Sequence, residues 1–328
     1  MLDIITFGSA SLDIFLHLKK VKIIKDKKFV TGEGIAFNLG SKIDVQDIKF
    51  NSGGGGTNTA ATFSNQKFKT AFYGVVGNDL AGKKILEELK EKGINTKFVL
   101  TKKGRPTNHS IILESGKEQE RTILVYRGAS ELLEEKDISW DKIRNEKPKW
   151  FYIAPLSGKT AFLTEKIISF AKKEKIKVAL NPGNSQLSLK KKVLDFVLKK
   201  IDILFLNQEE ASFLTKIPYQ NEKEIFLKLE KLCPGIIVMT KGKEGVIVYD
   251  GKSIYQAKPK KIKVKDKTGA GDSFASGFVS GYIYSDGDIK YSIQFGIANA
   301  NSCLQEIGAK NGLLKKGEKF PKVKVKIK

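Results

Sequence analysis

The sequence predicts an α/β fold: a mostly parallel central sheet covered by helices on both faces, with a small antiparallel β lid inserted into it. From about residue 150 the chain repeats one rhythm: a short β-branched run, a Gly/Asn/Pro turn, then a lysine-rich amphipathic stretch. This is how successive βαβ units read. The first third instead alternates apolar and polar residues with few helical stretches, as strands with one wet face do. The chain has 328 residues, 41% of them hydrophobic and 29% charged, enough for one large globular domain without metal or disulfide staples.

Taken in order, the first strand is Ile4–Gly8. Lid-like segments follow at Asp13–Val21, Ile35–Leu39 and Ile43–Phe50. Thr57–Gln66, then Ala71–Val76 with Leu80–Lys92, return to βα rhythm, before alternation resumes at Phe98–Thr101, Ser110–Glu114 and Arg121–Tyr126. The lid is therefore discontinuous, from about 13–50 and 97–128, within a single domain of residues 1–328. Later strands are Trp150–Ile153, Val178–Asn181, Ile203–Asn207, Ile236–Thr240 and Gly245–Tyr249. Helices lie near Ala161–Lys173, Lys191–Leu198, Gln208–Leu214 and Lys223–Leu232. The tail Lys322–Lys328 alternates lysine with β-branched residues, the pattern of a guarded edge strand.

The formal net charge of +23 raises a nucleic-acid reading, but only four of the 59 basic residues are arginine, the residue that clamps phosphates and reads bases. Lysines such as Lys83-Lys84 and Lys190–Lys192 fall on the solvent faces of predicted helices, so no specific nucleic-acid partner is expected. The longest apolar runs fall far short of the roughly 20 residues that span a bilayer. No membrane partner is expected, and with an acid at Asp3 the expected compartment is the cytoplasm. Cys233 and Cys303 are far apart and read as free thiols; His17 and His109 have no partner at metal-ligand spacing.

Gly77 to Lys84 comes within one residue of a phosphate-binding P-loop, yet Lys84 stands where the metal-binding hydroxyl belongs and the stretch reads as a strand-to-helix turn. The stronger signal is Asp266-Lys-Thr268-Gly269-Ala270-Gly271-Asp272, which runs into a helix buried by Phe274, Phe278 and Tyr282. Gly269, Ala270 and Gly271 put nothing bulky at the helix mouth, so backbone N–H groups and the helix dipole converge there on an anion. Asp272, in the first turn, can be held ionised by that dipole and accept a proton from an attacking hydroxyl, or can merely cap the helix.

This D-x-T-G-A-G-D pattern with its following helix resembles the second signature of the ribokinase / phosphofructokinase-B (PfkB) family of carbohydrate and nucleoside kinases. The first signature of that family resembles Gly53-Gly54-Gly55-Gly56-Thr57-Asn58, where glycines admit a sugar close to the backbone and Asn58 offers both donor and acceptor. Gly8 to Asp13, Val76 to Gly82, Asn207 to Glu210, Thr240 to Gly245 and Asn181-Pro182-Gly183 are similar to further family elements, so the resemblance spans Gly8 to about Ala309.

The resemblance implies a ribokinase-like fold and a kinase that uses ATP and Mg2+. It implies catalysis by Asp272 with Gly269, Ala270 and Gly271 as anion hole, and sugar binding by Asp13, Ser11, Gly54, Gly55, Asn58 and Arg127. Nucleotide contacts would come from Asn181, Asn207, Thr240, Lys241, Gly242, Gly245, Gly271 and Asn299. Glu210 would organise Mg2+ through water, and Asp266 with Thr268 would join a monovalent-cation (K+) site. A homodimer through the β lid is also implied.

Ribokinases proper carry asparagine where Ser11 stands and lysine where Gly55 stands, so ribose itself is not implied. Tyr126-Arg127 resembles the Y-R stretch of fructokinases and 2-keto-3-deoxygluconate kinases, which implies an arginine that reaches a sugar carboxylate or hydroxyl; the other reading is a surface arginine at a strand end. Three functions are expected in order: a small-sugar kinase acting on a hydroxymethyl group, a nucleoside kinase of the same family, and a non-catalytic ligand-sensing or nucleic-acid-binding protein on the same fold.

Overall fold

A computed structural model describes residues 1–19, 21–29, 32–115 and 121–328. The chain opens with β1 (Ile4–Phe7), then β2 (Ser11–Leu18), the hairpin of β3 (Lys22–Lys25) and β4 (Glu33–Ala36), and β5 (Val45–Gly53). Helix α1 (Gly55–Asn65) leads to β6 (Thr70–Gly77), and α2 (Leu80–Glu91) to β7 (Val99–Lys102), β8 (Asn108–Ser115) and β9 (Arg121–Tyr126). Next come α3 (Trp140–Glu146), β10 (Trp150–Ile153), α4 (Leu163–Lys173), β11 (Lys177–Leu180), α5 (Asn184–Leu187), α6 (Lys191–Lys200) and β12 (Ile203–Asn207). The last part holds α7 (Gln208–Thr215), α8 (Glu222–Leu232), β13 (Ile236–Thr240), β14 (Val246–Tyr249), β15 (Ile254–Ala257), α9 (Ala270–Tyr284), α10 (Ile289–Cys303) and β16 (Val325–Ile327).

Ten strands form the main sheet in the order β16-β15-β14-β13-β12-β11-β10-β1-β6-β7. Those from β13 to β7 run parallel, and β14, β15 and β16 add antiparallel at one edge. Successive side chains of a strand point to opposite faces, and the core divides accordingly. Ile5, Phe7, Phe151 and Ile153 pack one way, against Ile143, Ile167, Leu198 and Leu229. Ile4, Tyr152 and Phe205 pack the other way, against Phe63, Phe274, Phe278 and Ile293. Both faces are covered, which explains why β1, β6 and β10 are buried along their whole length.

A second sheet, β5-β2-β8-β9, forms the lid, and β3-β4 is a separate hairpin. Its β2–β5 and β8–β9 pairs are antiparallel, while β2 and β8 run parallel because each enters the lid from the same end of the main sheet. The segment Phe98–Thr101 was expected in the lid and belongs elsewhere: β7 pairs in parallel with β6 at the edge of the main sheet. The α2 crossover delivers it there, and Leu100 packs onto the main core. The lysine-rich tail forms the opposite edge as β16, and no described helix is long and apolar enough to cross a membrane. Cys233 and Cys303 are buried free thiols.

Candidate active site

The parallel strands end together at one rim, which is where open α/β sheets gather ligands. Two helices start there, α1 and α9, and they meet through one hydrogen bond. Asn58 Nδ2 donates to Asp272 Oδ2 at 2.8 Å. Asn58 is 5% exposed, and its Oδ1 is buried without a hydrogen-bond partner among the described residues. A buried carbonyl oxygen left unpaired is costly, so the geometry is one that a ligand hydroxyl would complete. The Asp272 carboxyl is pushed above the usual carboxylate range by burial and by nearby Asp13, against the pull of Asn58 and Lys310. The helix dipole was expected to keep it low; removal from water outweighs that dipole.

Asp13 lies on β2 with Ser11 Oγ donating to its Oδ1 at 2.9 Å. Burial raises this carboxyl too, opposed by Ser110, Ser11 and the charge of Lys310. At Gly53, the end of β5, a Cβ would stand 2.0 Å from Asp13 Oδ2 and would have to displace that carboxylate. Gly55 approaches the other carboxylate, its notional Cβ 3.5 Å from Asp272 Oδ1. Ser11, Asp13, Gly55, Asn58 and Asp272 therefore gather in one corner. Further along the same face of β2, Phe15 and His17 join Gln46, Lys49, Glu114 and Ile307 around a cavity of about 370 Å³. Arg127 is exposed one residue past the end of β9, beyond the His109–Tyr126 pair, and makes no hydrogen bond or ion pair among the described residues.

At the helix mouth Gly269 adopts φ +75°, and a Cβ there would lie 2.4 Å from that of Ala309. Gly271 is the reverse: exposed, with no atom within 4 Å of a notional Cβ. The first-turn N–H groups of a helix lack intrahelical acceptors, so this open cradle fits a phosphate group. Asp266 and Thr268, expected to help hold a monovalent cation, already have one: Arg121 Nη1 lies 2.5 Å from Asp266 Oδ1 and 2.5 Å from Thr268 Oγ1. The other Asp266 oxygen accepts from Gly308 N at 2.9 Å. As arranged, this pair does not fit K+.

On the nucleotide side, Asn181 ends β11 and donates to Phe205 O at 3.3 Å. Asn207 and Glu210 form a reciprocal cap of α7, Glu210 N donating to Asn207 Oδ1 at 2.8 Å and Asn207 N to Glu210 Oε2 at 2.9 Å. Burial raises the Glu210 carboxyl. Among the described residues no group of three or more His, Cys, Asp or Glu could hold a metal by itself. A single carboxylate with water and phosphate oxygens still fits Mg2+, which keeps much of its hydration shell. Thr240 ends β13, Lys241 pairs with Glu222, and Gly242 and Gly245 shape the open turn beyond. Asn299, expected among the nucleotide contacts, lies inside the helical layer. It is fully buried, donating to Ser273 O at 2.7 Å and accepting from Leu314 N at 2.9 Å, so it ties helices together.

Three groups escaped the sequence reading. Lys310 is 6% exposed, donates to Ser52 Oγ at 2.5 Å, and its pKa falls to about 8 through burial. Tyr152 has a fully buried hydroxyl without a described partner, in the field of both Asp272 and Glu210. Arg121 reaches the loop of Asp266 from the lid. No local motif marks any of them.

The sequence profile described as pfkB family carbohydrate kinase matches residues 29–316. The chain is 26% identical to a ribokinase of Lactococcus lactis subsp. lactis over 332 aligned positions, covering 100% of this chain and 98% of that one. It is also 26% identical to a nucleoside kinase of Methanothermobacter thermautotrophicus, with 96% and 94% covered. The solved Arabidopsis thaliana ribokinase complexed with ribose and ATP superimposes with a TM-score of 0.76 at 22% identity, covering 96% of each chain. With a family profile matched across most of its length and the two signatures meeting at Asn58 and Asp272, the chain belongs to the pfkB family of carbohydrate kinases and is an ATP-dependent sugar or nucleoside kinase.

Proposed function

We propose that the protein transfers the terminal phosphoryl group of ATP to a hydroxymethyl group of a small sugar. The Asn58–Asp272 hydrogen bond carries this reading: it fixes one carboxylate oxygen of Asp272 and leaves Oδ1 free beside Gly55 and the open mouth of α9. Asp13 and the unpaired Asn58 Oδ1 are two buried acceptors, suited to the hydroxyls of a sugar. The attacking hydroxyl gives its proton to Asp272 Oδ1 as its bond to the γ-phosphorus forms and the bond from that phosphorus to the β–γ bridging oxygen breaks, with ADP as the leaving group. The raised basicity of that carboxylate favours the transfer. Amides at Gly269, Ala270 and Gly271 receive the charge spread over the transferring group. Mg2+, organised by Glu210 through water, supplies charge neutralisation on the phosphates when bound. The Arabidopsis relative holds ribose and ATP on the same fold, which supports a sugar and ATP as co-substrates.

A nucleoside acceptor is the second reading, favoured by the cavity of about 370 Å³ beyond Asp13 along β2. The asymmetric lid has an apolar outer face, which supports a homodimer through it, and buried free thiols are in keeping with the cytoplasm. Coupled ADP release across a panel of sugars, sugar acids and nucleosides tests the activity. Asp272→Asn is expected to keep ATP affinity and lose turnover by about a hundredfold or more. Near wild-type turnover in that variant overturns the assignment of the base, and preference for a nucleoside overturns the sugar.

A further inference from the structure

We infer that the Arg121 guanidinium is the built-in cation of the Asp266–Thr268 loop, so that turnover does not require a diffusible monovalent cation; the turnover arm of this inference rests on the kinase reading above. Asp266 is 5% exposed, and a buried carboxylate demands a counter-charge as well as hydrogen bonds. The hydrogen bonds come from Thr268 N at 2.8 Å, Thr268 Oγ1 at 2.7 Å and Gly308 N at 2.9 Å. The charge comes from Arg121, whose Nη1 touches both Asp266 Oδ1 and Thr268 Oγ1 at 2.5 Å.

Neighbouring lysines do not compete for this role. Lys265 is exposed and pairs with Glu306 at 3.2 Å, and Lys267 faces solvent. A K+ ion bound through Asp266 Oδ1 or Thr268 Oγ1 would have to use oxygens that the guanidinium occupies, and the two like charges would repel at contact distance.

The source of this cation matters because Arg121 belongs to the lid. It opens β9, opposite Glu114 of β8, at the end of the lid hairpin, and the loop it grips leads directly into Gly269 and the mouth of α9. The lid thereby carries the cation that orders the phosphate-binding turn. Arg121 acts through Asp266 and Thr268, so it is a positioning residue.

The test compares wild type, Arg121→Ala and Arg121→Lys in choline chloride and in KCl at equal ionic strength, by turnover and by thermal melting. Wild type is expected to turn over within twofold in the two salts and to melt at the same temperature in both. Arg121→Ala is expected to lose at least tenfold in choline chloride, to recover part of that loss in KCl, and to melt higher in KCl. Arg121→Lys, which keeps the charge, is expected to remain indifferent to K+. Tenfold or greater activation of wild type by KCl overturns the inference, as does a K+-specific rise in its melting temperature. An Arg121→Ala enzyme that is fully active in choline chloride overturns it too. Failure of every acceptor in the substrate panel would sink the kinase reading alone, because the melting comparison needs no turnover.

Discussion

At the mouth of α9 one carboxylate feels three neighbours. Asp272 is raised by burial and by Asp13, and lowered by Asn58 and by the positive charge of Lys310. A base works only when deprotonated, so activity falls as pH drops through the folded-state pKa of Asp272, and the acid limb of the kcat profile is expected above the ordinary carboxylate range. Lys310→Met removes a cation that holds Asp272 and Asp13 down, so the limb should move to still higher pH. An unchanged limb in that variant would disconnect Lys310 from the site. Asn58 and Asp272 sit inside motifs whose spacing has a local cause, the start of a helix after small residues, and Asp13 follows the turn that ends the first strand. Lys310 acquires its role only because residues distant in sequence, Ser52 and Glu88, enclose it.

Among the elements, the mouth of α9 contains two glycines with opposite demands, one capping the helix and one in its first turn. Gly269 has a left-handed backbone and lies against Ala309, so Gly269→Ala is expected to lower the melting temperature, at a cost of about 1–2 kcal/mol from the backbone alone. Gly271 is helical with open space before it. Gly271→Ala should hold or raise stability, since alanine favours a helix by about 1 kcal/mol. The same methyl group would intrude on the phosphate cradle, so ATP affinity measured by calorimetry should fall. Equal losses of stability in both variants would contradict this division. The βα elements from Trp150 onward were readable because alternating burial and short turns repeat along the chain. The placement of β7 was not, because four residues of β propensity pair equally well with either sheet until the crossover helix packs.

Across the whole molecule, the lid presents two different faces. Asp13, Phe15 and Arg121 face the cleft, while Ile14, Ile48, Phe50, Ile111, Leu124 and Tyr126 share the opposite face by register. Of these, Ile48 is 50% exposed, Phe50 48%, Leu124 52% and Tyr126 46%. An apolar sheet face left in water is a ready surface for a second copy of the chain. Light scattering is expected to give a dimer for wild type and a monomer for the double variant Ile48→Glu/Leu124→Glu. A wild-type monomer at all concentrations would remove the lid dimer.

Residue order marked most of the strands and helices, though not α3, β15 or α10, together with the two glycine-rich turns and the acid that follows the second. These depend on periodicity and on backbone conformations that few residues tolerate, both written locally. The tertiary structure alone decided which charges meet. Arg121 lies on Asp266, Lys310 is drawn into the field of Asp13 and Asp272, and Asn299 is taken into the core. Such pairings follow from how the lid and the C-terminal segment fold back over the rim of the sheet, and Coulombic and hydrogen-bond energies depend on distance in space, which residue spacing along a chain does not encode.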